Sequence, residues 1–320
     1  MTLRSHAPWR IGVIGAGRVG AVLAAGLRAA GDEVVAAAGE SDASRQRIAT
    51  LLPGVPVLKP SAVARACDLL LLTVPDDMLA NVVAMLSASG AIRADQVVLH
   101  TSGRHGLAVL DPAAERGARV LAVHPAMTFT GTDVDLPRLT GCVFGVTAGP
   151  AERPLAEDLV AVLGGRITWV PEDKRTLYHA ALAHGANHLV TLVTEAAEML
   201  AAAGAEDPAG TLRPLLAAAL DNALERGDAA LTGPIVRGDV ETVRRHLADV
   251  ARDAPQTLPS YLALARATLD RVVTDGRVLP IRAAKMRRTL DAADGSAPPS
   301  AHREGRLPPV SERRPEPRSR

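Results

Sequence analysis

Apolar residues along this chain follow two rhythms, and the change near residue 171 divides it. Before that point short apolar runs recur at 10–15, 33–38, 68–74, 96–100, 119–123, 141–147 and 166–170. Runs of this length, bounded by Gly, Pro and Asp, predict strands. Stretches with apolar positions at helical spacing lie between most of them, at 18–30, 42–52, 77–89 and 151–163. Alternation of this kind predicts βαβ units and a mainly parallel sheet. Leu69-Leu-Leu-Leu-Thr-Val74 is apolar at nearly every position, as expected of a strand covered on both faces. After Pro171 only the helical rhythm remains, over 173–204, 208–226, 239–252, 256–274 and 280–292. Residues 293–320 are rich in proline and arginine without apolar periodicity, which predicts a disordered tail.

The first strand runs into Gly15-Ala16-Gly17-Arg18-Val19-Gly20, and Val22, Leu23, Gly26, Leu27 and Ala30 follow at helical spacing. Strand, glycine turn and helix in that order form the site of a dinucleotide pyrophosphate. Gly15 permits the tight turn, Gly17 lets the backbone approach the phosphates, and Gly20 lets helix pack on strand. The helix N-terminus then offers free N–H groups and a positive partial charge to the anion. The fold class is therefore α/β. A Rossmann-type, mainly parallel sheet domain over 1–171 is followed by an all-helical domain over 172–292 and the tail over 293–320.

Composition narrows the partners. Hydrophobic residues make up 48% and charged residues 22%, and the formal net charge is +1, so nothing points to nucleic acid or an anionic membrane. No apolar stretch reaches transmembrane length and no secretory leader pattern opens the chain. Cys67 and Cys142 sit in apolar surroundings without metal-ligand spacing and read as buried free thiols of a reducing compartment. A cytoplasmic protein acting on a small molecule without a metal is expected.

An acid about 20 residues beyond the glycines indicates NAD, whereas nearby arginine accommodates the phosphate of NADP. Glu40 stands at that distance, which leaves NAD possible. It is followed by Ser41, Ser44 and Arg45, which read as a hydroxyl-and-arginine phosphate clip, so NADP is preferred. The bland alternative is that Ser41 or Asp42 caps the next helix. At the end of the third strand, Val74 and Pro75 are placed to line the cofactor.

Two further strand ends carry polar clusters, His100-Thr101-Ser102-Gly103 and His124-Pro125. Hydride reduction of a carbonyl builds charge on oxygen and needs a positioned donor. His124 suits donation, while Thr101 and Ser102 suit anchoring of a substrate. On the first long helix, Lys174, His179 and Asn187 are candidate active-site residues, with Lys174 a possible acid or anchor. Thr232 and Arg237, in Leu231-Thr-Gly-Pro-Ile-Val-Arg-Gly-Asp239, are candidates to hold a substrate carboxylate. Asp239 reads as a helix cap.

Together the glycine motif, Val74-Pro75-Asp76, His100-Thr-Ser-Gly103, His124-Pro-Ala-Met-Thr-Phe129, Tyr178-His179 … Asn187 and the Leu231–Asp239 block resemble a bacterial family. That family joins a Rossmann-like N-terminal domain to a helical C-terminal domain long catalogued as of unknown function. The match covers roughly residues 8 to 291. The family looks related to pyrroline-5-carboxylate reductases and 6-phosphogluconate dehydrogenase-like proteins, and some members are regarded as ketopantoate reductases of pantothenate and coenzyme A synthesis. The resemblance implies an NADP(H)-dependent reductase, often a homodimer packed through its helical domains. The chain departs from the hydroxyacid dehydrogenases of that superfamily, because Tyr178 stands where asparagine would follow lysine by four residues. The leading expectation is reduction of a small 2-oxo acid, ketopantoate first. The alternatives are a cyclic-imine reductase of pyrroline-5-carboxylate type and a non-catalytic NADP(H)-sensing protein.

Overall fold

The structure, a computed structural model, describes residues 7–294. Beyond Asp294, the expected tail lies outside the described residues. By internal contact the chain falls into two units, one running to His188 and one from Leu189.

The first unit contains β1 (Arg10–Ile14), α1 (Arg18–Ala29), β2 (Glu33–Ala38), α2 (Asp42–Leu51), α3 (Pro60–Ala66), β3 (Leu69–Leu72) and α4 (Leu79–Ala88). It continues with β4 (Val97–His100), α5 (Asp111–Ala114), β5 (Arg119–Pro125), β6 (Val143–Ala148), α6 (Arg153–Val162), β7 (Arg166–Trp169) and the start of α7 (Arg175–Ala202). The strands form one sheet in the order β2-β1-β3-β4-β5-β6-β7. Every neighbouring pair is parallel except β5 and β6. Each strand expected from the apolar runs is present. The short helices α3 and α5 were not anticipated, because seven and four residues are too few to display a 3.6-residue period.

Helices cover both faces of the sheet and close two apolar cores. Leu69, Leu70, Leu71 and Leu72 alternate between these faces and are all buried, each worth about 1.5–3 kcal/mol. The chain runs outward from β1 to β2 and then returns to the other side of β1 as β3. A crevice outside the carboxyl ends of β1 and β3 is where such sheets bind ligands. Both cysteines are buried free thiols, and burial pushes Cys67 up to about 11.

The second unit contains the rest of α7 followed by α8 (Pro208–Arg226), α9 (Pro234–Arg237), α10 (Val240–Asp253), α11 (Leu258–Thr274) and α12 (Pro280–Ala293). Its core is built by α10, α11 and α12 through Val243, Leu247, Leu262, Leu269, Met286 and Leu290. Residues 189–202 bury nothing, and α8 buries only Leu212. No described helix is long and apolar enough to cross a membrane.

Candidate cofactor and active site

At the carboxyl end of β1 the chain turns so tightly that the amides of Gly15 and Ala16 both donate to the Ala38 carbonyl at 3.0 Å. Gly15 has φ +91° and lies against the backbone of Thr73 and Val74, 2.6 Å from where its Cβ would stand. Gly20 lies against the Thr73 side chain, and a Cβ there would also come within 2.8 Å of the Gly15 carbonyl oxygen. The Thr73 hydroxyl meanwhile donates to that carbonyl at 2.6 Å. Gly17 is different. The nearest atom to a Cβ on it is 3.8 Å away, so protein packing does not require its glycine.

Gly17 is also the N-cap of α1, where no side chain caps the helix and no acid stands in the first turn. An open glycine beside an uncapped helix N-terminus fits a pyrophosphate, which would take the free N–H groups. Arg18 opens the helix at the surface and Val19 is half-buried. Across the crevice, Val74 is half-buried against the core and Pro75 is exposed, its carbonyl accepting from the Met78 amide.

Beyond β2, Ser41 caps α2 by accepting from the Ser44 amide at 3.1 Å, and the two hydroxyls lie 2.9 Å apart. Arg45 donates to Asp42 and to the Glu40 carbonyl, each at 2.6 Å. The capping alternative therefore describes these contacts directly. It does not remove the clip, because the Arg45–Asp42 pair is exposed and such pairs are worth about 1 kcal/mol or less. A phosphate, with charge-assisted and bidentate bonding available to it, can compete for the same guanidinium.

A second cluster forms at the ends of β4 and β5. His100 is fully buried, with Nε2 2.8 Å from the Gly106 carbonyl and Nδ1 accepting from the Ser102 amide at 3.1 Å. Burial lowers it to about 4, with the Arg175 charge adding to the effect. It shapes the turn and stays neutral. Ser102 is buried and its hydroxyl accepts from the His105 amide, while the Thr101 amide donates to the Leu72 carbonyl at 3.3 Å.

His124 stands on β5 with Nδ1 3.1 Å from the Tyr178 hydroxyl, the rings edge-on. His179 also packs edge-on against His124, with ring centres 5.8 Å apart. Glycine makes both approaches possible. A Cβ on Gly145 would overlap the Tyr178 ring, and one on Gly103 would overlap His179. Burial lowers His124 to about 4, aided by the nearby His179 and Arg175. At neutral pH the site thus holds an uncharged imidazole against a protonated phenol, which burial has pushed up.

The neighbours Lys174 and Arg175 take opposite positions. Lys174 is exposed and pairs with Asp173 at 2.7 Å. Arg175 is 1% exposed and reaches the carbonyls of Ser102 (2.6 Å) and Gly145 (3.3 Å) and the Thr147 hydroxyl (3.1 Å). Sequence reasoning missed Arg175 and gave Tyr178 no role. The available signal was their spacing, since Arg175, Tyr178 and His179 are three and four residues apart and share one helix face. Asn187 is exposed, two turns beyond His179, about 12 Å along the axis at 1.5 Å per residue. Thr232 and Arg237 belong to the second unit, both exposed, flanking a corner where Gly233 and Gly238 have positive φ. Asp239 caps α10 there by accepting from the Thr242 amide at 3.1 Å.

Comparisons with known proteins agree with this architecture. A Rossmann-like domain matches residues 3–125, and a domain of unknown function, DUF2520, matches 142–268. Curated proteins gave no significant match. Among solved structures, a candidate NADP oxidoreductase from Bacteroides fragilis superposes with a TM-score of 0.69 at 21% identity, covering 82% of this chain and 98% of that one. A reductive aminase from Aspergillus terreus, in complex with NADPH and ethyl levulinate, gives 0.61 at 19% identity over 88% and 99%. The pyrroline carboxylate reductase of Plasmodium falciparum with NADP bound gives 0.53 at 12% identity over 87% and 98%. At these identities the likeness is one of fold. The chain joins a Rossmann-like domain to a DUF2520 domain.

Proposed function

We propose that this protein is an NADPH-dependent oxidoreductase that reduces the carbonyl of a small 2-oxo acid, with ketopantoate the first substrate to test. The observation that carries the reading is the His124–Tyr178 pair, a neutral imidazole against a protonated phenol. It stands on the same sheet edge as an open glycine loop. Gly15, Ala16, Gly17, Arg18, Val19 and Gly20 would hold the pyrophosphate, with Ser41, Ser44 and Arg45 at the 2′-phosphate and Val74 and Pro75 along the cofactor. Bound NADPH supplies the hydride. Tyr178 gives its proton to the substrate oxygen, and His124 returns one from Nδ1 as its Nε2 takes another from water. Such acid catalysis contributes about 10²–10⁴ in rate. Ser102, Thr101, His179 and Asn187 orient the substrate.

A second reading, reduction of a cyclic imine, is favoured by what the fold relatives are: a pyrroline carboxylate reductase and a reductive aminase. The purified protein with NADPH is offered ketopantoate and pyrroline-5-carboxylate in parallel. Turnover of the 2-oxo acid, lost in His124→Gln, supports the first reading. Imine turnover barely slowed by that substitution supports the second, because no alkoxide forms. Saturable NADPH binding with no turnover of either leaves an NADP(H)-sensing protein. The apolar side chains exposed on α7 and α8, among them Val190, Leu215 and Leu224, suit a homodimer packed through the helices. The buried free thiols fit a cytoplasmic setting.

A further inference from the structure

Arg175 carries a charge that its hydrogen bonds alone do not call for. It is fully buried, yet its bonds go to two carbonyls and a hydroxyl, and its Nε has no partner. Among the described residues no carboxylate forms an ion pair with it. Arginine does not deprotonate in proteins, so the cation remains, and burying a cation costs far more than burying a neutral donor. A side chain needed only to fasten β4, β6 and α7 together would not have to be charged. One turn further on, the guanidinium carbon lies 5.9 Å from the centre of the Tyr178 ring. The hydroxyl of that ring meets His124.

We propose that Arg175 is a positioning residue whose buried positive charge stabilises the phenolate formed when Tyr178 gives up its proton. The role rests on the reading above in which Tyr178 protonates the substrate. Before transfer the phenol is neutral and gains little from the cation. After transfer the half-buried phenolate faces an opposite charge, and the attraction is strongest in the state that the reaction has to reach. The other titratable groups facing Tyr178 are His124 from β5, which His179 in turn packs against, and the Cys142 thiol; Asp76 and Glu172 act on Arg175 from the opposite sign. His124 is uncharged over the range in which a phenol titrates, so it does not supply this stabilisation.

The composition permits a direct test, because the chain has two tyrosines, Tyr178 and Tyr261. In full-length Tyr261→Phe protein, ultraviolet phenolate absorbance reports Tyr178 alone, without cofactor or substrate. An opposite charge within about 6 Å moves such a group by about 1–3 pKa units. Arg175→Gln keeps a donor but removes the charge, and should shift the Tyr178 titration upward by at least about tenfold in acid constant. Arg175→Lys should remain close to the parent. A folded Arg175→Gln protein whose Tyr178 titrates unchanged, or lower, overturns the proposal and leaves Arg175 a fastener. If that variant fails to fold, Thr147→Asp sets a carboxylate beside the guanidinium and should raise the titration in the same direction; no rise there also overturns it. Because the readout needs no turnover, failure of this role and failure of the reductase reading are separate results.

Discussion

The two ends of one sheet edge are held together in different ways. At β1 and β3 the chain approaches itself through backbone, and Gly15 and Gly20 are packed too closely for a Cβ. At β4, β5 and α7 side chains do the holding, through buried His100, neutral His124, Tyr178 and a guanidinium that pairs with no carboxylate among the described residues. The first end tolerates no added volume, and the second tolerates little change of charge. A shape-determined end suits a cofactor bound the same way in every cycle. A charge-determined end suits a reaction in which charge has to move.

The largest effect should come from adding volume at the first end. Gly20→Ala forces a Cβ against the Thr73 side chain and the Gly15 carbonyl. It is expected to cost about 1–3 kcal/mol of stability and to abolish NADPH binding, measured by urea unfolding and fluorescence titration. Gly17→Ala sharpens the contrast, since its Cβ enters open space. Its urea midpoint should move little while the NADPH Kd rises at least about tenfold, because only the ligand competes for that volume. Equal destabilisation by both variants would remove the distinction between packing and cradle.

At the second end Tyr178→Phe deletes the proposed acid and little else. Expected is a fall in kcat of about 10²–10⁴ with NADPH Kd unchanged, read by steady-state kinetics beside the same titration. A pH series tests this end without any substrate. His100 and His124 are lowered from 6.5 to about 4 by burial. Between those values the unfolded chain binds protons that the folded one refuses, so stability is complete above pH 6.5 and falls as pH drops toward 4. The slope is on the order of 1.4 kcal/mol per pH unit for each histidine. Urea midpoints should decline through this window, and His124→Gln should flatten the decline.

The same physical difference decides what could be read from sequence. Glycine spacing and apolar runs are local signals, so β1, its loop and all seven strands were legible from residue order. Pairing of His124 with Tyr178 links positions 54 apart, and no periodicity records it. Arg175 was overlooked because a buried arginine looks like its solvated neighbours until its partners are known. Lys174 drew attention for its residue type and its place at the start of the long helix, neither of which says where its side chain points. In the Leu231–Asp239 block the cap at Asp239 was legible from the helix that follows it. Ser41 was legible as a cap for the same reason, and its second use depends on a ligand.

Two small effects set the limits of the comparison. Arg45→Ala should raise the NADPH Kd about tenfold and leave the NADH Kd unchanged, because the guanidinium is exposed and only a 2′-phosphate gives it new work. Lys174→Ala should do less still. Its ammonium is exposed and held by Asp173, so water replaces the partner and neither folding nor the charge around Tyr178 changes. The melting temperature should be unaltered and kcat should stay within about twofold, since surface substitutions away from special features have little effect. A loss of about 100-fold on that substitution, with Tyr178→Phe nearly silent, would move the acid from the buried pair to the surface lysine. The contrast between the two ends would then fail at the charged one, where the sequence had offered the exposed cation beside His124 as donor.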